Sequence, residues 1–287
     1  MLDRERRSPL SVTAPTWRFA EMQKGEMNID PIQGEFFARA DLSDNLVRES
    51  VQNSLDAASS EKIRVRFAIS LGTSSLRPAV AQLYMSGLWT HLKSVLAKDV
   101  PKASEPMDFL VIEDFGTRGL QGDPKQAYDT EQPTPKNDFY YFWRNIGRSP
   151  KGEMELGRWG VGKAVFAESS RINGFFGLTI RNDDHQELLM GQCVLKMHTI
   201  GFSWHRPYGF YSDHDKDGFP MPLQNRELLE RFRRDFHLKR RNEPGLSIVV
   251  PYFRKEDLTL KGLERAVIEH YFYPVISKRL VLEFEEV

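Results

Sequence analysis

The spacing of apolar and polar positions changes several times along the chain, and each change marks an element. From Asp41 to Ser59 the pattern is helical: Val47, Val51, Leu55 and Ala58 form one stripe, and Asp41 or Ser43 is placed to cap the first turn. "KIRVRFAIS" (62–70) alternates apolar and charged residues as a half-buried strand does. After the turn-like "LGTSS", residues 79–97 predict one amphipathic helix with Leu83, Leu88, Leu92 and Val95 or Leu96 inward. "MDFLVIED" (107–114) is a strongly apolar strand, and strand-like runs recur at 171–181, 187–197 and 245–252. A helix starts near Gly162, and the chain ends on a helix over about 258–275 followed by the strand "RLVLEFEE".

Two stretches fit no element. Residues 1–40 are mixed and Pro-containing, with aromatics at Trp17, Phe19, Phe36 and Phe37, and read as an arm that packs on something. Residues 115–156 are rich in Gly, Pro, Asp and Lys, carry the aromatic patch "DFYYFWRNIG", and far exceed the usual connection of about four to six residues. Such a long connection is usually functional or mobile. The expected division is an arm (1–40), a main domain (41–253) and a helix–strand extension (254–287) that opens a further domain.

Composition narrows the class. With 287 residues and 40% hydrophobic content the chain buries a large core, in one domain or one and a half. Lys+Arg 40 balance Asp+Glu 40, so no global field draws the protein to nucleic acid or to an anionic membrane, and any such binding is local. The single cysteine, Cys193, excludes an internal disulfide and a Cys-based zinc site within one chain, which fits a reducing cytoplasm. The N-terminus lacks the apolar centre of a signal peptide, and no run approaches the roughly 18 apolar residues of a membrane span. A cytoplasmic protein without membrane association is expected.

The first helix carries "ESVQNSLDA" (49–57), in which Glu49, Asn53 and Asp56 fall within roughly 60° of one another on the side away from the apolar stripe. An ordinary solvated face accounts for this. So does a place for a metal and a water: an Asn oxygen ligates magnesium without adding charge, and a Glu one turn away orients or deprotonates an attacking water. The apolar strand ends in Asp114, followed by "FGTRG". Its carboxylate, beside backbone that Gly116 and Gly119 leave open, suits the exocyclic amine of adenine, whereas guanine would set acceptor against acceptor. A plain turn after a core strand accounts for the same residues. "GRWGVGKAVF" (157–166) mimics a P-loop through Gly157, Gly162 and Lys163, but Ala164 stands where the magnesium-ligating hydroxyl belongs, and no strand precedes it.

In this order, "ESVQNSLDA", "DFGTRG" and "GRWGVG" resemble the N-box, the D-x-G-x-x-G box and the second glycine box of the GHKL ATPases, the Bergerat-fold family of gyrase B, MutL, the heat-shock chaperone, MORC proteins and sensor histidine kinases. The resemblance covers about residues 41–253. It implies an α/β (α+β) two-layer sandwich, a mixed, mostly antiparallel sheet backed by helices, that binds ATP with Mg2+ and hydrolyses it slowly to drive lid closure and association. By that resemblance Glu49 is the general base, Asn53 the magnesium ligand, and Asp56 the polar support on the nucleotide side of the helix. Asp114 reads adenine, with Gly116, Thr117 and Gly119 around the base. Gly157, Gly160, Val161, Gly162 and Lys163 lie against the phosphates at a helix start, and residues 115–160 form the lid. A nucleotide-dependent homodimer, and protein or DNA partners in a larger DNA-processing or defence assembly, fit the same family. Two alternatives stand beside this reading: a nucleotide-gated interaction module without useful turnover, and a histidine-kinase-like phosphotransfer domain, which Glu49 and the lack of a preceding dimerising helix disfavour. The last sheet strand departs from the family, with Leu246 after Gly245 where a threonine is common, and Ser247 directed to the other face.

Two further signals carry little. "DHDKDG" (213–218) begins like a calcium loop but has Gln224 at its twelfth position, and reads as a polar turn. "RFRRDFHLKRR" (231–241) reads as a solvated basic helix face rather than a nucleic-acid patch.

Overall fold

β3 (Phe109–Phe115) carries Phe109, Leu110, Val111 and Ile112 without a polar break because both of its faces are covered. The computed structural model describes residues 14–26, 41–96, 100–129, 137–145 and 163–287. Among them, β1 (Thr16–Glu21), β2 (Ile63–Ser70), β3, β4 (Gly174–Ile180), β5 (Glu187–Val194), β7 (Ser203–His214), β9 (Gly245–Pro251) and β10 (Leu280–Glu286) form one sheet. Its order is β1-β7-β5-β4-β9-β3-β2-β10, with β6 (His198–Ile200) and the short β8 (Pro220–Met221) paired to β7. Every neighbour along that path is antiparallel except β10 on β2, which is parallel.

The helices are α1 (Leu42–Asp56), α2 (Pro78–Tyr84), α3 (Leu88–Val95), α4 (Asp138–Trp143), α5 (Ala164–Glu168), α6 (Arg226–Asp235) and α7 (Leu260–Ile276). Strand alternation divides the core in two. Leu110, Ile112, Ile248 and Val250 face α1, α4, α5 and α7, while Phe109, Val111, Val249 and Phe176 face α2, α3 and α6. The expected mixed, mostly antiparallel sheet backed by helices is what the chain forms. Beyond the two expected layers, α2, α3 and α6 add a third.

α1 begins where the sequence places it: Asp41 Oδ1 accepts from the amides of Ser43 at 2.9 Å and Asp44 at 3.3 Å. The single helix expected over 79–97 is two, because Gly87 adopts a left-handed conformation (φ +80°) between α2 and α3. The break turns Leu83 outward, 41% exposed, while Leu88 and Leu92 stay buried. It also opens the backbone to β1: the Trp17 amide donates to Ser86 O at 2.9 Å and its indole Nε1 donates to Tyr84 O at 2.7 Å. Trp17 and Phe19 are thereby buried in this chain's own core.

β7 has no counterpart in the sequence reading, since His205, Arg206, Pro207 and Gly209 interrupt its apolar positions. The aromatic patch expected in a long connection is α4, capped by Asn137 Oδ1 accepting from the Tyr140 amide at 2.9 Å. "DHDKDG" is the polar turn expected, with Asp215 Oδ1 accepting from the amides of Asp217 and Phe219. No helix among the described residues is long and apolar enough to cross a membrane.

Candidate functional site

Asp114 stands at the carboxyl end of β3, opposite Val65 of β2, on the face that α1 covers. One carboxylate oxygen is fully engaged: Oδ1 accepts from Thr117 Oγ1 at 2.7 Å, from the Leu246 amide at 2.7 Å and from Arg240 Nη2 at 3.4 Å. The other, Oδ2, meets Ser54 Oγ at 3.5 Å, the edge of hydrogen-bonding distance. Burial pushes the Asp114 carboxyl above its ordinary range, and the Arg240 guanidinium and the surrounding donors pull it back.

The turn after β3 holds this arrangement to α1. Gly116 has a positive φ of 80°, and its carbonyl accepts from the Ser59 amide at 2.9 Å. The Arg118 amide donates to Ala57 O at 2.9 Å, and Arg118 Nη1 donates to Asp56 O at 2.8 Å. The end of α1 and the end of β3 are therefore sewn to one another. Gly119 serves close approach to β4: at φ +68° an added Cβ would lie 2.3 Å from Ile180 O and 2.8 Å from Thr179 Oγ1.

On α1 the buried residues are Ser43, Leu46, Val47, Ser50, Val51 and Ser54. The expected stripe is rotated: Leu55 is half-buried, and Ala58 lies beyond the helix and exposed. Ser50 and Ser54 tolerate burial by donating to the carbonyls of Leu46 and Ser50, at 2.6 and 2.8 Å. Glu49 and Asn53 come together as their spacing requires, with Asn53 Nδ2 donating to Glu49 Oε1 at 2.8 Å. Asp56 is exposed and accepts from Gln52 Nε2 at 2.9 Å.

Lys163 precedes α5 and donates from Nζ to Tyr141 O at 2.8 Å and Asn145 O at 2.7 Å, which ties it to the end of α4. Burial pushes the amine down to about 7, and the field of Glu49 opposes that shift. Lys163 is thus expected to titrate near neutrality, and Glu49→Gln to lower it further; lysine ε-carbon NMR reads both. Titration near the ordinary lysine value of about 10.4 would show a solvated amine. Because the folded value lies below the unfolded one, this group destabilises the fold at neutral pH. The penalty is relieved as pH rises from about 7 to about 10. Gly157, Gly160, Val161 and Gly162 lie outside the described residues.

Three residues near Asp114 escape the sequence reading. Arg240, from the basic run, is buried rather than solvated. Ser54 announces itself only through its i+4 spacing from Ser50. Thr179 pairs opposite Leu246, so a hydroxyl does stand on this face, from β4 instead of β9; it donates to Gly245 O at 3.0 Å and accepts from the Leu120 amide at 2.9 Å. Ser247 faces the other way as expected, and donates to Glu113 Oε1 at 2.9 Å.

Neither a protein-family model nor a curated protein matches this chain. Among solved structures, the ATPase region of Saccharomyces cerevisiae topoisomerase II is similar over 85% of this chain, with 10% sequence identity and a TM-score of 0.36. This chain spans 46% of that region, less than half its length, and at such a level of likeness the function must be argued from the residues themselves.

Proposed function

We propose that this chain binds ATP with magnesium where the end of β3 meets α1, and hydrolyses it. The observation that carries the reading is the one-sided Asp114 carboxylate: three donors fix Oδ1, while Oδ2 keeps acceptor capacity beyond its long contact with Ser54 among the described residues. A buried acceptor held in that way recognises a donor edge such as the adenine amine and penalises the guanine carbonyl. Glu49 and Asn53, one turn apart and hydrogen-bonded, supply a carboxylate for the attacking water and a carboxamide oxygen for the cation. Magnesium, when bound, would neutralise phosphate charge and polarise the terminal phosphoryl group.

The test is base choice. ATP should outcompete GTP, and Asp114→Asn should weaken ATP binding by roughly 1 to 3 kcal/mol, because the carboxamide offers one acceptor and must turn its donor somewhere. A competition titration indifferent to the base, or an Asp114→Asn variant that binds ATP as tightly as the wild type, would reduce Asp114 to a turn residue.

A further inference from the structure

Arg240 follows α6 in the basic run, yet its side chain is 0% exposed. Its bonds converge on one spot. Nη2 donates to the Asp114 carbonyl, to Asp114 Oδ1 at 3.4 Å and to Leu246 O at 3.0 Å; Nη1 donates to Glu243 O and Pro244 O, both at 2.9 Å; and Nε donates to Ser247 Oγ at 2.9 Å. The planar fork therefore clamps the loop before β9 against the end of β3. Gly245 permits it: with φ +139°, an added Cβ would sit 2.5 Å from Asp114 Oδ1 and 2.6 Å from Arg240 Nη1. The guanidinium also lies over the Phe115 ring, 4.8 Å from its centroid.

We propose that Arg240 is the positioning residue that holds Asp114 as an acceptor with one open edge, and through it sets the choice of nucleotide base. The inference rests on the ATP reading above. Arg240 touches no base; it acts by saturating Oδ1 and by placing the Leu246 amide, which donates to the same oxygen. Among the described residues it is also the charged group whose field reaches the carboxylate. Around Asp114, α1 presents Ser54, the following turn Thr117, β9 the Leu246 amide and β2 the apolar Val65, while Glu113 projects to the opposite face. Without Arg240 the buried carboxyl loses its counter-charge and takes up a proton more readily. A protonated carboxyl donates its O–H, so it can bond to the guanine carbonyl that the carboxylate rejects.

Competition of ATP and GTP against a fluorescent ATP analogue, followed with pH, tests this. Wild type is expected to prefer ATP by about tenfold or more between pH 6 and 8.5. Arg240→Met is expected to bring the two nucleotides within about threefold near pH 6 and to recover preference as pH rises. Arg240→Lys, which keeps the charge and loses the fork, is expected to weaken ATP while preserving the preference; where Arg240→Met does not fold, this variant decides. Folded Arg240 variants with wild-type affinity and base preference at every pH would overturn the proposal. The Asp114→Asn control separates the two ideas: if it binds ATP like wild type the nucleotide reading fails, and if it loses ATP while the Arg240 variants do not, only the role of Arg240 fails.

Discussion

Glu49→Ala is expected to bind ATP with magnesium and to lose turnover by a factor on the order of 10² to 10⁴, the usual contribution of a positioned general base. Asn53→Ala is expected to lose binding itself, in its metal-dependent part. The geometry explains why neighbours one helical turn apart should separate so cleanly. Asn53 Nδ2 is committed to Glu49 Oε1 at 2.8 Å, which directs the carboxamide oxygen elsewhere and leaves it as the atom suited to a hard cation. Glu49 is half-buried and its field reaches the buried Lys163, which sets it apart from a solvated surface carboxylate. Phosphate-release kinetics beside equilibrium nucleotide binding would distinguish the outcomes. Equal loss of binding in both variants would sink the assignment of separate roles, full turnover in Glu49→Ala would remove Glu49 as the base, and ATP binding without turnover in the wild type would favour the interaction module.

Legibility followed from how local each signal is. The period of α1, its Asp41 cap and the apolar run of β3 are written in adjacent residues, and the structure keeps them. The pairing of Glu49 with Asn53 is also local, being i and i+4 on one helix. Arg240 was illegible for the opposite reason. In "RFRRDFHLKRR" nothing distinguishes Arg231 and Arg234, whose side chains are 44% and 72% exposed, from Arg233 and Arg240, at 1% and 0%. What buries the last two is a set of partners distant in sequence: Glu187 for Arg233, and Asp114, Glu113 and Ser247 around Arg240. The break at Gly87 leaves no local mark because glycine inside an amphipathic pattern is tolerated, and only the docking of β1 reveals the purpose of the gap. β7 is likewise hidden, because His and Arg positions break its alternation.

The same buried network yields the largest stability effect. Glu113 lies one residue before Asp114, is fully buried, and accepts four hydrogen bonds: from Arg66 Nη1 at 2.7 Å, the Lys239 amide at 2.9 Å, the Arg240 amide at 3.1 Å and Ser247 Oγ at 2.9 Å. Arg66, in the middle of β2, is equally sealed and also pairs with Glu285 of the parallel edge strand β10, whose carboxylate takes Lys239 Nζ at 2.7 Å. Removing the central carboxylate leaves two buried guanidinium groups short of charge and two backbone amides without acceptors. Glu113→Ala is therefore expected to cost ~3–5 kcal/mol, the penalty of breaking a buried pair from one side. Glu113→Gln keeps one acceptor oxygen but sets an NH2 group against donors, and is expected to fall between wild type and alanine. Glu283→Ala provides the contrast on the same strand pair: its bridge to Arg64 spans 3.2 Å with side chains 38% and 34% exposed, and its loss is expected to cost ~0–1 kcal/mol. Urea unfolding with and without added salt would separate the two, since salt screens the exposed pair and barely reaches the buried one. A Glu113→Ala variant within about 1 kcal/mol of wild type would mean that water or a rearranged loop before β9 satisfies Arg66 and Arg240, and that the clamp behind Asp114 is looser than its bond lengths imply.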